Sequence, residues 1–236
     1  LDVGDFIMGR RTIKKHWNLE IKYDCRLQYK KNKYWLIVPV ENKCVEKKKT
    51  PKNYCGIDPG VSVMLTSFGN NGTVEYKQNK YLIDKLNRKI DTIKSLRIRS
   101  RKKRTFNSIR QGKKRKLLNK LEEKKENLID EIHWKSINDI LERNDYVFYG
   151  DIKSHDIVKK SRNKYLNRDI NDLKFYKFKE RLMFKALTLN KKVYVVNEAF
   201  TTKTCACCGT VNKVEKKKIY DCKGCKNVML RDCSAA

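Results

Sequence analysis

Two kinds of spacing divide the chain. Leu27 and Tyr29, then Tyr34, Leu36 and Val38, alternate with other residues on either side of a basic turn, Lys30–Asn32. This is the two-residue period of a hairpin with one covered face. It spans the runs Leu19–Tyr29 and Lys33–Val40, and Pro39 suits a strand's end. Over Asn53–Lys77 the alternation runs through Val61, Val63 and Leu65, turns at Gly69-Asn70-Asn71-Gly72, and resumes at Val74 and Tyr76. Helical spacing takes over at Leu82, Leu86, Ile90 and Ile93, and again from Leu117 through Leu128, Ile137 and Leu141. These are two long helices joined by, or continuous with, the segment between them, with Gly112 marking the break. Asp145–Tyr149 reads as a short buried strand and Ile152–Arg168 as loop or lid. Asn171–Leu189 reads as an amphipathic helix and Val193–Val196 as a second buried strand. Strands, long helices, strand, helix, strand: the order predicts an α/β fold whose mixed sheet is covered by helices.

Charge changes the picture. Lys and Arg number 57 against 27 acids, a formal charge of +30. Such an excess selects a polyanion as partner. Nucleic acid is the choice over an anionic membrane, because no apolar run approaches the roughly 18–20 residues of a span. The excess concentrates between the long helices. Arg97, Arg99, Arg101, Lys102, Lys103, Arg104, Arg110, Lys113, Lys114, Arg115 and Lys116 occur in one stretch with no acid and with Phe106 among them. A charge run is ordinarily a solvated face; this many uncompensated cations fit contacts to a phosphate backbone, without sequence readout. At 236 residues the chain suffices for one large domain or one plus a small module. It starts and stops without a completed terminal element, which suggests part of a longer protein. His133 and His155 stand alone and read as structural.

Cysteine adds a metal. Cys205-x-x-Cys208 and Cys222-x-x-Cys225 are separated by thirteen residues. Paired knuckles at such a distance supply the four thiolates of tetrahedral zinc. Gly209 and Gly224 give the knuckles a permissive backbone, and Cys207 is spare by spacing. Glu198 and Asp232 bracket this ribbon, each seven residues from the nearest ligand. A metal-closed insert draws its two ends together. Carboxylates held close are costly unless a cation lies between them, which points to a divalent-metal site. Asp58, in Gly56-Ile57-Asp58-Pro59-Gly60, has little side-chain bulk around it and is the third candidate acid. The plainer role for such an Asp is to organise a turn.

At this point the motifs resemble a known family. Gly56-Ile-Asp-Pro-Gly60 is similar to the first motif of RuvC-like nucleases of RNase H-like fold. Phe200-Thr-Thr-Lys-Thr-Cys205 through Cys225, with Arg231-Asp232 and Ala235-Ala236, resembles the zinc ribbon and third motif of TnpB transposon proteins, Fanzor proteins and type V CRISPR effectors. The resemblance runs from about Asn53 to the end. The first fifty residues are similar to the tail of a β-rich wedge domain. It implies four parts: 1–50, the end of the wedge; 51–200, the RuvC-like domain with long basic helices; 201–228, the zinc ribbon; and 229–236, the final RuvC segment. The usual pattern has a Glu ending the strand in Tyr146-Val-Phe-Tyr-Gly-Asp151, where this chain has Gly150. Glu198 stands where rearranged, Fanzor-like sites carry theirs. The implied catalytic set is Asp58, Glu198 and Asp232, with Asp151 in reserve.

The activity implied is magnesium-dependent cleavage of DNA, with two Mg²⁺ on the three carboxylates and one structural Zn²⁺ on the four cysteines. The implied partners are a guide RNA and double-stranded target DNA, in a ribonucleoprotein with one copy of the chain and no membrane contact. The implied location is nuclear for a eukaryotic or viral source and cytoplasmic for a bacterial one. Against this stand a guided DNA binder with a decayed nuclease, a simple zinc-ribbon RNA-binding module, and a DNA-strand transferase.

Overall fold

The computed structural model describes residues 22–30, 33–41, 53–102, 108–197, 203–212 and 219–230. They belong to two compact units, Leu1–Lys43 and Cys44–Ala236. The first unit contains the hairpin of β1 (Arg26–Lys30) and β2 (Lys33–Ile37). Leu27 pairs with Leu36 and Tyr29 with Tyr34, whose rings lie 4.9 Å apart. Both faces of this ribbon are open rather than one: Tyr29, Tyr34, Trp35 and Ile37 are all exposed.

The second unit is built on a five-stranded sheet, β5-β4-β3-β6-β7. β3 (Tyr54–Pro59), β4 (Leu65–Gly69) and β5 (Gly72–Tyr76) form an antiparallel meander. Gly72, at φ +91°, makes the turn that the Gly-Asn-Asn-Gly signal predicts. Val61 and Val63, expected in a strand, instead lie in the bend before β4. There the Gly60 N–H donates to Met64 O, and Met64 drops into the core. β6 (Tyr146–Gly150) joins the other side of β3 in parallel, and β7 (Lys192–Val196) joins β6 in parallel.

The helices cover one face. α1 (Lys80–Lys102) and α2 (Ser108–Arg143) are the long pair; their junction falls at 103–107, outside the described residues. Gly112 lies inside α2 and does not break it. The stretch expected to be loop carries α3 (Ser154–Lys160) and the first half of α4 (Lys164–Leu173), the latter capped by Asn163 Oδ1 on the N–H groups of Tyr165 and Leu166. The single helix expected over Asn171–Leu189 is divided at Lys174, where the backbone turns left-handed, and restarts as α5 (Phe175–Thr188).

The core lies between Cys55, Ile57, Leu65, Val147 and Tyr149 of the sheet and Ile137, Ile140, Leu173, Phe178 and Leu182 of the helices. Burial pushes the Cys55 thiol up to about 12, so it behaves as a small apolar side chain. Lys125 binds Asp172 at 2.6 Å and Asn87 at 3.0 Å, tying α1, α2 and α4 together. The opposite sheet face keeps Tyr54, Phe68, Phe148 and Tyr194 exposed. β6 is therefore covered on one side only, and β7, with Val195 and Tyr194 both exposed, is an edge strand that only Val193 anchors, where their apolar runs suggest burial on both faces.

Candidate functional site

Alternation along β3 decides where Asp58 points. Ile57 is buried in the core, so Asp58 stands on the opposite face, half-buried at the strand's C-terminal end. Its partner on β4 is Thr66. Ile57 pairs with Tyr149, which brings Gly150 alongside Asp58, and Gly150 pairs in turn with Val196. The row across the sheet is thus Thr66, Asp58, Gly150, Val196. Gly150 beside the acid adds no side chain, and Thr66 on its other side is buried. Gly60 is required by the tight bend that follows, because a Cβ there would lie 2.8 Å from Val63 O.

Asp151 has left the strand. Its N–H donates to Val196 O at 2.9 Å, and its carboxylate accepts from Lys179 Nζ of α5 at 2.7 Å. With Lys179 and Tyr176 it lines a cleft of 540 Å³. Glu198 and Asp232 lie outside the described residues; the nearest described positions are Asn197, just past β7, and Leu230, the end of β9 (Val228–Leu230). Of the basic stretch, Arg97, Arg99, Arg101 and Lys102 fall on the last turns of α1, while Arg110 and Lys113–Lys116 fall on the first turns of α2. Lys113, Arg115 and Lys116 are exposed; Lys103 and Arg104 lie outside the described residues.

The four cysteines come together. The Sγ atoms of Cys205, Cys208, Cys222 and Cys225 all lie within 4.8 Å of one another, with Cys205–Cys225 and Cys208–Cys222 at 3.6 Å. Four thiolates at 2.3 Å from a tetrahedral zinc would stand about 3.8 Å apart, so the cluster fits the ion. Cys207 is exposed and stays outside the group. The first knuckle closes by Gly209 N–H on Cys205 O and the second by Lys226 N–H on Cys222 O. Gly209 takes φ +72°, and a Cβ on Gly224 would sit 2.8 Å from Thr210 Oγ1, so each glycine is needed for a different reason.

Around the cluster Asn212 donates to Tyr220 Oη at 2.7 Å and to Cys222 Sγ at 3.5 Å. The Cys225 N–H, with Asn212, lowers the Cys222 thiol to about 6. Cys225, although the Asn227 N–H acts to lower it, is pushed up to about 12 by burial and by the neighbouring thiols. Four sulfurs this close repel one another as thiolates, which favours a cation among them. β8 (Ile219–Asp221) pairs with β9 to complete the ribbon.

The aromatic row on the sheet face away from the core escaped the sequence reading. Phe148 and Tyr194 stack at 5.4 Å, and Tyr146 with Tyr194 at 6.4 Å. Their signal is present in β6, where apolar residues occupy both alternating sets, but only the pairing of distant strands reveals the row.

Residues 175–236 match the family model described as Cas12f1-like, TNB domain. A TnpB-like protein, L79, of Acanthamoeba polyphaga mimivirus is 33% identical across 89% of this chain and 41% of its own length. A putative transposase, A625R, of Paramecium bursaria Chlorella virus 1 is 30% identical across 90% of this chain and 48% of its own. Two solved structures share the fold. A CRISPR-Cas12f ternary complex superposes with TM-score 0.57 at 21% identity, covering 86% of this chain and 40% of that one. A Cas12f1-sgRNA-target DNA complex superposes at 0.54 and 18% identity, covering 89% and 54%. The chain spans less than half the length of these curated relatives.

Proposed function

Since the chain belongs to the family of TnpB-like proteins and type V effectors, we propose that it is the nuclease portion of a transposon-associated, RNA-guided DNA endonuclease. The observation that carries this reading is the position of Asp58. It stands at the end of the central strand, on the sheet face away from the helical core, next to a glycine that adds no side chain. The helices hold β3 from the other side through Ile57 and Cys55, so the carboxylate is fixed by a rigid element.

In this reading the sheet and long helices are the RuvC-like, RNase H-like domain, 51–200. Residues 1–50 end a wedge domain, 201–228 are the zinc ribbon, and 229–236 return to the RuvC domain. Asp58, Glu198 and Asp232 would hold two Mg²⁺, which when bound supply an activated water and charge neutralisation at the phosphodiester. Glu198, two residues past Val196, serves in place of the side chain that Gly150 lacks. The ribbon cysteines carry a closed, structural zinc with no position left for substrate. The basic ends of α1 and α2 contact phosphates of guide RNA and target DNA, while base pairing reads the sequence.

Gly150 favours one competing reading, a guided DNA binder that no longer cuts. Cleavage of target DNA by the ribonucleoprotein in Mg²⁺ separates the two. Asp58→Ala and Glu198→Ala are each expected to slow cutting by roughly 10³-fold, the scale of losing one charge-stabilising group, with guided binding kept. Asp151→Ala is expected to cut nearly as wild type. Loss of cutting in Asp151→Ala but not Glu198→Ala would reassign the site. Target binding by wild type without cleavage would establish the binder.

A further inference from the structure

We infer that Asn212 is the positioning residue of the cysteine ribbon: from the foot of the first knuckle it reaches across to the second, where its amide donates to Cys222 Sγ and holds that sulfur in place for the metal. The inference rests on the zinc reading of the ribbon and adds to it a residue that is not itself a ligand.

Asn212 belongs to both knuckles. Only 7% of its surface is exposed. Its backbone is part of the first knuckle: its N–H donates to Lys203 O at 2.8 Å, beside the Thr204–Val211 bridge at that knuckle's base. Its side chain is part of the second. Nδ2 lies 3.5 Å from Cys222 Sγ, and Oδ1 accepts from the Lys223 N–H at 3.3 Å. One residue thus fastens the Cys205–Cys208 turn to the Cys222–Cys225 turn by bonds that need no metal.

The Lys223 N–H decides which way the amide faces. Turned over, the amide would set donor against donor at Lys223 and an oxygen against the sulfur. With Oδ1 on Lys223, both hydrogens of Nδ2 face the ribbon's interior. One goes to Tyr220 Oη at 2.7 Å, which accepts it because its own hydrogen goes to Lys203 O at 3.0 Å. The other lies between Thr210 O, at 3.3 Å, and Cys222 Sγ. Thr210 O already accepts the Cys205 N–H at 2.9 Å, so the sulfur has the greater need of it. Cys222 is fully buried, whereas Cys208 and Cys225 are exposed. Water can solvate the charge of the exposed pair; the charge on Cys222 depends on donors from the chain. A hydrogen bond to an ionised acceptor is roughly twice as strong as a neutral one, so this bond tightens once Cys222 is a thiolate. Residues that orient a metal ligand in this manner typically contribute about 10–100-fold to affinity.

The test titrates zinc out of the full chain with a chromophoric chelator and records the spectrum of the Co²⁺-substituted protein. Asn212→Asp keeps the shape and the Oδ1 acceptor but puts a carboxylate oxygen where the donor was; Asn212→Ala removes the whole amide. Zinc affinity is expected to fall roughly 10–100-fold in both. The loss should be at least as large in Asn212→Asp, whose charge repels the thiolate. The sulfur-to-cobalt charge-transfer band should move to lower energy in both, since a sulfur without its donor holds its electrons less tightly. Tyr220→Phe, which leaves the Asn212–Cys222 bond in place, should bind zinc and absorb light nearly as wild type. A smaller loss in Asn212→Asp than in Asn212→Ala, with the band unmoved, overturns the inference, because shape and the acceptor then suffice; the zinc reading survives that failure. A loss in Tyr220→Phe equal to that in Asn212→Asp also overturns it, since the tyrosine then joins the knuckles. A wild-type chain that takes up no zinc removes both readings.

Discussion

His133 is a neutral imidazole held inside a strongly basic protein. It is fully buried between α2 and α5, edge-on to Phe178 with ring centroids 5.2 Å apart. Its Nε2 lies 2.9 Å from Leu173 O and donates to it; Nδ1 then accepts from Arg181, 3.2 Å away, which also binds Asp130 at 2.8 Å. Burial lowers the imidazole to about 4, with Arg181 and Lys177 acting in the same direction and the bond to Leu173 O and the Asp130 charge opposing them. The unfolded chain takes up a proton near 6.5 that the folded chain refuses until about pH 4. Stability from this group is therefore present above pH 6.5 and falls as the pH drops toward 4, by about 3 kcal/mol in all. Urea denaturation at pH 7.5 and 4.5 should show that loss, and His133→Gln should remove most of it. Asp58 was legible because glycine and proline surround it, and His133 reads as structural in sequence and structure alike. The Gly150–Val196 pairing beside Asp58 was not legible, since it joins strands that the sequence separates by three helices, α3, α4 and α5.

Among elements, the joint between α4 and α5 stores strain. Lys174 sits at φ 51° and ψ 49°, a left-handed conformation costing a side-chain-bearing residue about 1–2 kcal/mol. Its ammonium reaches Glu126 at 3.1 Å, a part-exposed pair worth at most about 1 kcal/mol. Lys174→Gly should thus raise the unfolding free energy measured in urea by a net of about 0.5–1 kcal/mol. Lys174→Ala, which loses the ion pair and keeps the strain, should lower it. The sequence hides this joint because Leu173, Phe175 and Phe178 continue one apolar stripe across it. α3 was hidden for the opposite reason: none of its residues is buried, so it has no stripe to read. Asn163, whose side chain caps α4, was the available signal. The β3–β5 meander was readable because alternation and turn residues are local properties.

At the scale of the molecule, the ribbon and the sheet depend on different forces. Among the described residues, the ribbon's buried cluster consists of Cys205, Tyr220 and Cys222, with Met229 against it. So small a core cannot offset the entropy of ordering its loops without a metal. A strong chelator should release one zinc per chain and open 203–230 to trypsin, while the sheet and helices keep their circular dichroism and melting transition. A single cooperative loss of both would show that the ribbon also supports the sheet. The paired CxxC units made this ribbon legible, since ligand spacing is a local property. The order of the five strands was not, because β3 at the centre draws its neighbours from both directions along the chain.

That central position has a consequence on the ribosome. β3 meets β4 within a few residues, but Ile57 waits about ninety positions for Tyr149, its partner on β6. At roughly 5–20 residues per second of synthesis, one edge of the meander stays without its permanent neighbour for about 5–20 s. An open edge of this kind invites pairing with another nascent chain. The long, highly charged α1 and α2 are made during that interval. Their cations give each emerging chain reason to repel the next until β6 arrives to close the edge.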